Sequence, residues 1–381
     1  MTLRFLSLLA ATVSVLAAQD VAVKAAHVHT MTAAPAAAGT LVVKAGKIAS
    51  VGASDATAED FGSAHVYPGM IDAATVAGAR AEKDDPVDPF MPGFRMVDAV
   101  DPRHRDFSRF AAHGVTTVHV LPGDRNVVGG TACAVKVASG DSATILKPVT
   151  GLKVSLRESE YAPPRGGGGN DLAARIFGGG GASGRDPTSL FGGMSLLRTP
   201  PAADAAAMAA WKDGKSRTFV ATGTAREVDA ALRLRADAAL NPTVIGGMDV
   251  ASRAKAAAEN AAAVILPPLR PAMTPVEKRD LASLFAAGVP IAFSSGAPAA
   301  RASVLRVSAA SAVRAGVDAA RVERALTVDA AKILGVDDRV GTLEAGKDGD
   351  FVVLSGPLSD PRSRLLLVVV DGRTAFRAPK E

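Results

Sequence analysis

A chain of 381 residues, 48% of them hydrophobic, can bury a large core, as one large domain plus a small one or as two ordinary domains. A formal charge of +5 with no Lys/Arg run and no basic strip carrying interleaved aromatics gives nucleic-acid binding no support, and the lone Cys133 excludes an internal disulfide. Aromatic residues are only 4% of the chain, so the core must rest on Ala, Val, Leu and Ile.

Residues 1–19 read as a secretory signal: Arg4, then the apolar run Phe5 to Val15, then small residues around Ala17-Ala18 before Gln19. That run is short for a membrane span, so the expectation is an exported protein, periplasmic or extracellular, with no membrane span after cleavage. A retained N-terminal anchor is the alternative. Residues 20–67 alternate short apolar runs with turns. Leu41 to Lys44, Ala45-Gly46 and Lys47 to Val51 predict a β-hairpin. Cys133 is expected to be a small buried hydrophobe, since no basic neighbour activates it.

From residue 68 to 340 the pattern changes to strands separated by helices. Strands are predicted at 69–73, 115–121, 152–156, 218–222, 243–246, 263–267 and 289–293. In 225–240, Val228, Ala231, Leu232, Ala236, Ala239 and Leu240 recur with helical spacing. Such alternation implies a parallel sheet with both faces covered, and about eight such units close a barrel. The eighth strand falls either at Ala132 to Val137 or inside 157–217. Residues 163–200 are dense in Gly without a period and predict a flexible insertion. They contain no GxxxxGK[ST] loop for phosphate. At the far end, Asp350 to Leu354 and Leu365 to Val370 are aliphatic runs followed by a turn at Asp371-Gly372. They are expected to pair with the N-terminal strands, so that 20–67 and 341–381 form one β-sandwich.

The stretch YPGMIDAATVAG, residues 67–78, resembles the signature of the amidohydrolase superfamily, in which Pro-Gly-apolar-Ile-Asp is followed by x-His-x-His. Pro68 to Asp72 and Thr75 match that frame, whereas Ala74 and Val76 stand at the two histidine positions. Residues 107–130 (FSRFAAHGVTTVHVLPGDRNVVGG), 285–298 (FAAGVPIAFSSGAP) and 325–356 (ALTVDAAKILGVDDRVGTLEAGKDGDFVVLSG) resemble further segments of the family in the same order. The resemblance implies an α/β fold: a TIM-like (β/α)8 barrel joined to a small β-sandwich made from both termini.

It also implies one or two divalent metals, zinc or another, at the barrel's C-terminal mouth, where they acidify a water that attacks a C–N bond. Carried over onto this chain, the ligand positions fall at Ala74, Val76, Ala221 or Thr222, Gly246 or Gly247, and Gly296. None of them holds an imidazole or a carboxylate. All six histidines lie at or before residue 119. His27 and His29 are read as a solvent-facing pair on the sandwich, His65 and His104 as loop residues, and His113 as part of a helix-to-strand turn. His119 lies within a strand, where a satisfied core histidine competes with a catalytic role. Lys153 aligns with a lysine that some relatives carbamylate, and Glu158 with a glutamate that ligates metal in others. Asp72 is expected to point away from the mouth. Ser294-Ser295 ends a strand without a GxSxG elbow. The weak catalytic candidates are therefore Lys153, Glu158 and His119, and the expected pocket lining is Ala74, Val76, Glu158, Ser294, Ser295 and Gly296.

These readings favour a degenerate, metal-free member of the superfamily with no cofactor. It would bind a small ligand in the old mouth, or pair with an intact amidohydrolase or a second copy of itself. One alternative is an active C–N hydrolase that groups Lys153 and Glu158 with His104, His113 or His119. Another is a purely structural periplasmic scaffold.

Overall fold

The computed structural model describes residues 20–32, 36–79, 83–85, 88–138, 140–161, 187, 189–260 and 262–379. The leader 1–19 and residues 163–186 of the Gly-rich stretch lie outside them. The N-terminal strands are β1 (Val21–Val28), β2 (Ala37–Lys44), β3 (Lys47–Gly52), β4 (Glu59–Asp60) and β5 (His65–Pro68). The barrel strands are β6 (Met70–Thr75), β7 (Val115–Val120), β8 (Val128–Lys136), β9 (Thr144–Ser155), β10 (Arg217–Ala221), β11 (Asn241–Ile245), β12 (Ala263–Leu266) and β13 (Ile291–Phe293). The chain returns through β14 (Phe351–Leu354), β15 (Leu365–Val370) and β16 (Arg373–Arg377).

Both ends of the chain share one sheet, ordered β16-β15-β14-β5-β1-β2-β3, with β4 beside β1. Its stitch is the antiparallel pair β5–β14, where Pro68 faces Phe351 and His65 faces Leu354. Side chains alternate along β14: Phe351 and Val353 pack with Val23, Leu41 and Val66 in the sheet's own core, while Val352 and Leu354 join the core around the barrel. His65 is therefore a strand residue, not a loop residue. His27 is exposed, but His29 is half-buried and stacks on Tyr67 at 4.0 Å. A solvent-facing pair does not describe His29.

The barrel strands follow one another in the order β6 to β13. β6 and β7 are parallel, as are β9 through β13. β8 supplies the eighth strand near the first of the two expected places, but it runs antiparallel to both neighbours. The links 121–127 and 137–143 are too short for a helical crossover, so the chain can only fold back as a hairpin. The inside of the barrel is filled by Ile71, Ala73, Ala132, Ala134, Phe219, Ile265 and Ala292. Val118, Val154, Val220, Val244 and Val264 face outward to the helices.

Two helices show how local sequence sets these layers. Ala225–Ala238 starts at a capping box between Thr224 and Glu227 and ends at Ala239 with φ 55°. It buries Val228, Ala231, Leu232, Leu234 and Ala238, while Ala236 and Ala239 are exposed. Leu190–Arg198 occupies the end of the stretch expected to be flexible. Ser189 caps it by accepting from Gly192 N, and Leu190, Met194 and Leu197 anchor one face, which outweighs the entropic cost of Gly192 and Gly193. Among the described residues no helix is long and apolar enough to cross a membrane.

The sheet closes without a ladder between β13 and β6; a side chain makes the seam. Asp72 is fully buried, and its carboxylate accepts from Ser295 N at 3.0 Å and from the Ser295 hydroxyl. Gly69 lets β6 begin tight against β7, since a Cβ there would lie 2.0 Å from Thr116 Oγ1.

Candidate functional site

The C-terminal ends of the barrel strands open on a cavity of about 630 Å³. Ala74 lines it from the end of β6 and Val76 from just beyond, with Thr222 and Gly223 after β10, Gly246 and Gly247 after β11, and Gly296 after β13. Glu158, Ser294 and Ser295 do not line it; Ser295 is turned to Asp72. Gly296 has φ +69°, a conformation that L side chains rarely adopt, and a Cβ on Gly246 would lie 2.6 Å from Thr222 Oγ1. At Gly296 the backbone conformation favours glycine; at Gly246 the neighbouring Thr222 side chain would have to shift to admit a Cβ.

The polar groups of the mouth come from β9 and from the link after β7. Lys153 is buried, and its Nζ donates to Asp124 Oδ1 at 2.5 Å and to Gly123 O at 3.3 Å. Arg157 Nη1 donates to Asp124 Oδ2 at 2.9 Å. Burial disfavours the Asp124 charge, but Lys153 and Arg157 more than offset it and hold the carboxyl below its usual range. Arg157 Nε is a buried N–H with no hydrogen-bond partner among the described residues, and a Cβ on Gly223 would sit 3.4 Å from it. Lys83 and Arg125 add two further cations to the lining, and Glu160 adds one acid.

Glu227 holds this wall in place. Its Oε1 accepts from Glu158 N at 2.9 Å, and its Oε2 accepts from Gly223 N at 2.6 Å and Thr224 N at 3.0 Å. One buried carboxylate thus ties the end of β9 to the end of β10. The Glu158 side chain instead pairs with Arg226.

His119 lies deeper, inside the barrel, against Phe219. Its Nδ1 is 2.9 Å from Ala73 O, which can only accept, so Nδ1 carries the proton and Nε2 accepts from Thr150 Oγ1 at 2.7 Å. Burial pushes its pKa down to about 4, so it is neutral at pH 7. His104 and His113 lie at the ends of the outer helix Asp106–Ala111. Lys153, Glu158 and the histidines are therefore not brought together, and neither are His119 and Ser294-Ser295. Cys133 is buried and its thiol is pushed up to about 12, which makes it inert.

Divalent-metal chemistry needs convergent nitrogen, sulfur or carboxylate donors. Among the described residues no group of three or more His, Cys, Asp and Glu is placed to hold an ion. The acid closest to that role, Asp124, already serves Lys153 and Arg157. Among the described residues the donor set does not fit a metal. Asp124, Arg157, Glu160 and Glu227 escape sequence inspection. Only Glu227 has a local signal, the Thr224-x-x-Glu227 capping box.

A model of the amidohydrolase family matches residues 275–375. The fold is similar to the crystal structure of an amidohydrolase from Thermotoga maritima MSB8, with a TM-score of 0.76 and 26% identity over 94% of this chain and 100% of that one. A prolidase complexed with N-methylphosphonate-L-proline (TM-score 0.57, 16% identity, 94% and 100% covered) shares the fold. So does a molinate hydrolase (TM-score 0.54, 15% identity, 94% and 95% covered). No curated protein sequence matches the chain.

Proposed function

We propose that the chain, which is similar to amidohydrolases in its C-terminal sequence and in its fold, is a metal-free member of the amidohydrolase superfamily that binds a small ligand in its barrel mouth without hydrolysing it. The observation that carries this reading is the mouth itself. It keeps a cavity of about 630 Å³ while Ala74, Val76, Ala221 or Thr222, Gly246 or Gly247, and Gly296 stand where the resemblance puts the family's metal ligands. The left-handed φ of Gly296 and the close Thr222 side chain at Gly246 support a settled site in which more than one position departs from the family together. The cavity's size argues against a purely structural barrel. In this reading Lys153 and Arg157 fix Asp124, and the free Arg157 Nε offers the ligand a donor. The leader pattern of residues 1–19 supports an exported protein.

Metal analysis of the purified chain after dialysis against a mild chelator tests the first half of the proposal. We expect zinc and other divalent ions far below one equivalent; a stoichiometric ion would sink it. A thermal-shift screen with dipeptides, cyclic amides and lactones tests the second half. The expected outcome is stabilisation by a ligand that is recovered intact, and release of a hydrolysed product would establish the active-enzyme alternative.

A further inference from the structure

A second cavity, of about 440 Å³, lies outside the barrel mouth and is built from two segments far apart in sequence. The helix Asp106–Ala111 and the turn after it supply Arg109, Phe110 and His113, while the loop after β13 supplies Pro298 and Arg301. Arg109 and His113 are four residues apart, a spacing that places them on one side of the helix end. The Arg301 charge is close enough to His113 to disfavour its protonation, alongside the larger effect of burial. Two guanidinium groups and an imidazole therefore face one space.

Arg109 and Arg301 form no ion pair among the described residues, whereas Arg157, Arg198, Arg253 and Arg324 each meet an aspartate. Among the described lining residues the carboxylate is Asp106, which is buried and engages His104 Nδ1 at 3.2 Å. Converging cations without a counter-charge repel one another, and an anion between them reverses the sign of that interaction. The floor is apolar: Phe110, Ala297 and Ala302 are buried there. The volume far exceeds that of a bare oxyanion, so the shape suits an acidic group attached to a small apolar body.

We propose that this outer cavity binds a small organic anion, its carboxylate or phosphate group held between Arg109 and Arg301 and its apolar part lying over Phe110. The two cavities share Ala297 but draw their charged groups from different residues, and this proposal does not depend on the function proposed for the mouth.

Isothermal titration calorimetry of the full chain with benzoate, phenyl phosphate and inorganic phosphate tests this. At least one of the two aromatic anions should bind at a single site, and inorganic phosphate at least tenfold more weakly. The stronger of the two aromatic anions identifies the acidic group. Arg109→Ala with Arg301→Ala should weaken binding at least tenfold. Arg157→Ala, in the mouth, should change it less than twofold. Both outer arginines are exposed, and circular dichroism of the double variant checks its fold; Arg301→Gln alone provides the milder test, with the same direction of loss. Absence of saturable binding by either aromatic anion would overturn the proposal. So would a loss that follows Arg157→Ala while the outer variants bind normally, because that places the anion in the mouth.

Discussion

Asp72 shows how one residue type acquires its role from its surroundings. In sequence it is a strand aspartate expected to face away from the mouth; in the structure it closes the barrel by accepting from Ser295 N and Oγ. Burial raises its pKa to about 7, and the hydrogen bonds from Ser295 only partly oppose that. Between its ordinary 3.8 and about 7, the folded state holds a proton that the unfolded state has released. The stability this gives is fully present below the lower value and is lost as pH rises through the upper one. Asp72→Asn keeps an oxygen for Ser295 N and removes the titration. Relative to wild type, its unfolding free energy should therefore rise with pH, by about 3 kcal/mol in total between pH 5 and 8. Urea unfolding at several pH values measures this, and a difference independent of pH contradicts the assignment. His119 titrates in the opposite sense: its stabilising neutral form is complete above its ordinary 6.5 and is lost as pH falls toward about 4. Its strand position was legible from the sequence, but its bonds to Ala73 and Thr150 were not, because they cross strands far apart in the chain.

At the scale of elements, alternation and helical spacing located the strands that carry the mouth, and the differences have local causes. β8 reverses direction because its links leave no room for a crossover helix. The helix Leu190–Arg198 forms where Gly density alone predicts flexibility, because Ser189 and three apolar anchors act together. The loops at the ends of β9 and β10 are held by Glu227 rather than by pairing with each other. Glu227→Ala leaves the N–H groups of Glu158, Gly223 and Thr224 without their acceptor. At about 1 kcal/mol for each lost bond, the expected cost is about 3 kcal/mol in urea unfolding. Glu227→Gln, which keeps one carboxyl-type oxygen, should cost roughly half as much. Equal stability of Glu227→Ala and wild type would remove Glu227 from this role.

Across the whole molecule, a buried charge cluster joins the barrel to the terminal sheet. Lys136, on β8, reaches Asp348 at 2.5 Å and Asp350 at 3.1 Å, and also pairs with Asp371; Arg339 meets Asp348 from the other side at 2.7 Å. Lys136→Met removes the cation that Asp350 and Asp371 share and leaves Asp348 to Arg339 and Lys47, which should destabilise the chain by about 3–5 kcal/mol at pH 7. Burial and the neighbouring charges set the Asp350 pKa at about 6. Lys136 holds that pKa down, so in Lys136→Met it lies higher; the deficit should therefore shrink as pH falls toward about 6 and the variant's carboxylate is neutralised, a trend that thermal unfolding at pH 6 and 8 detects. By itself the sequence determined the strand–helix succession, a matter of residue type and local period that needs no knowledge of distant neighbours. The joining of both termini in one sheet was legible from the aliphatic runs at the two ends together with the family resemblance. Only the tertiary structure decided which charges meet, Asp124 with Lys153 and Arg157 in the mouth and Lys136 with its aspartates, and that Arg109 and Arg301 line one outer cavity. Barrel closure creates those encounters between segments whose spacing along the chain carries no period to read.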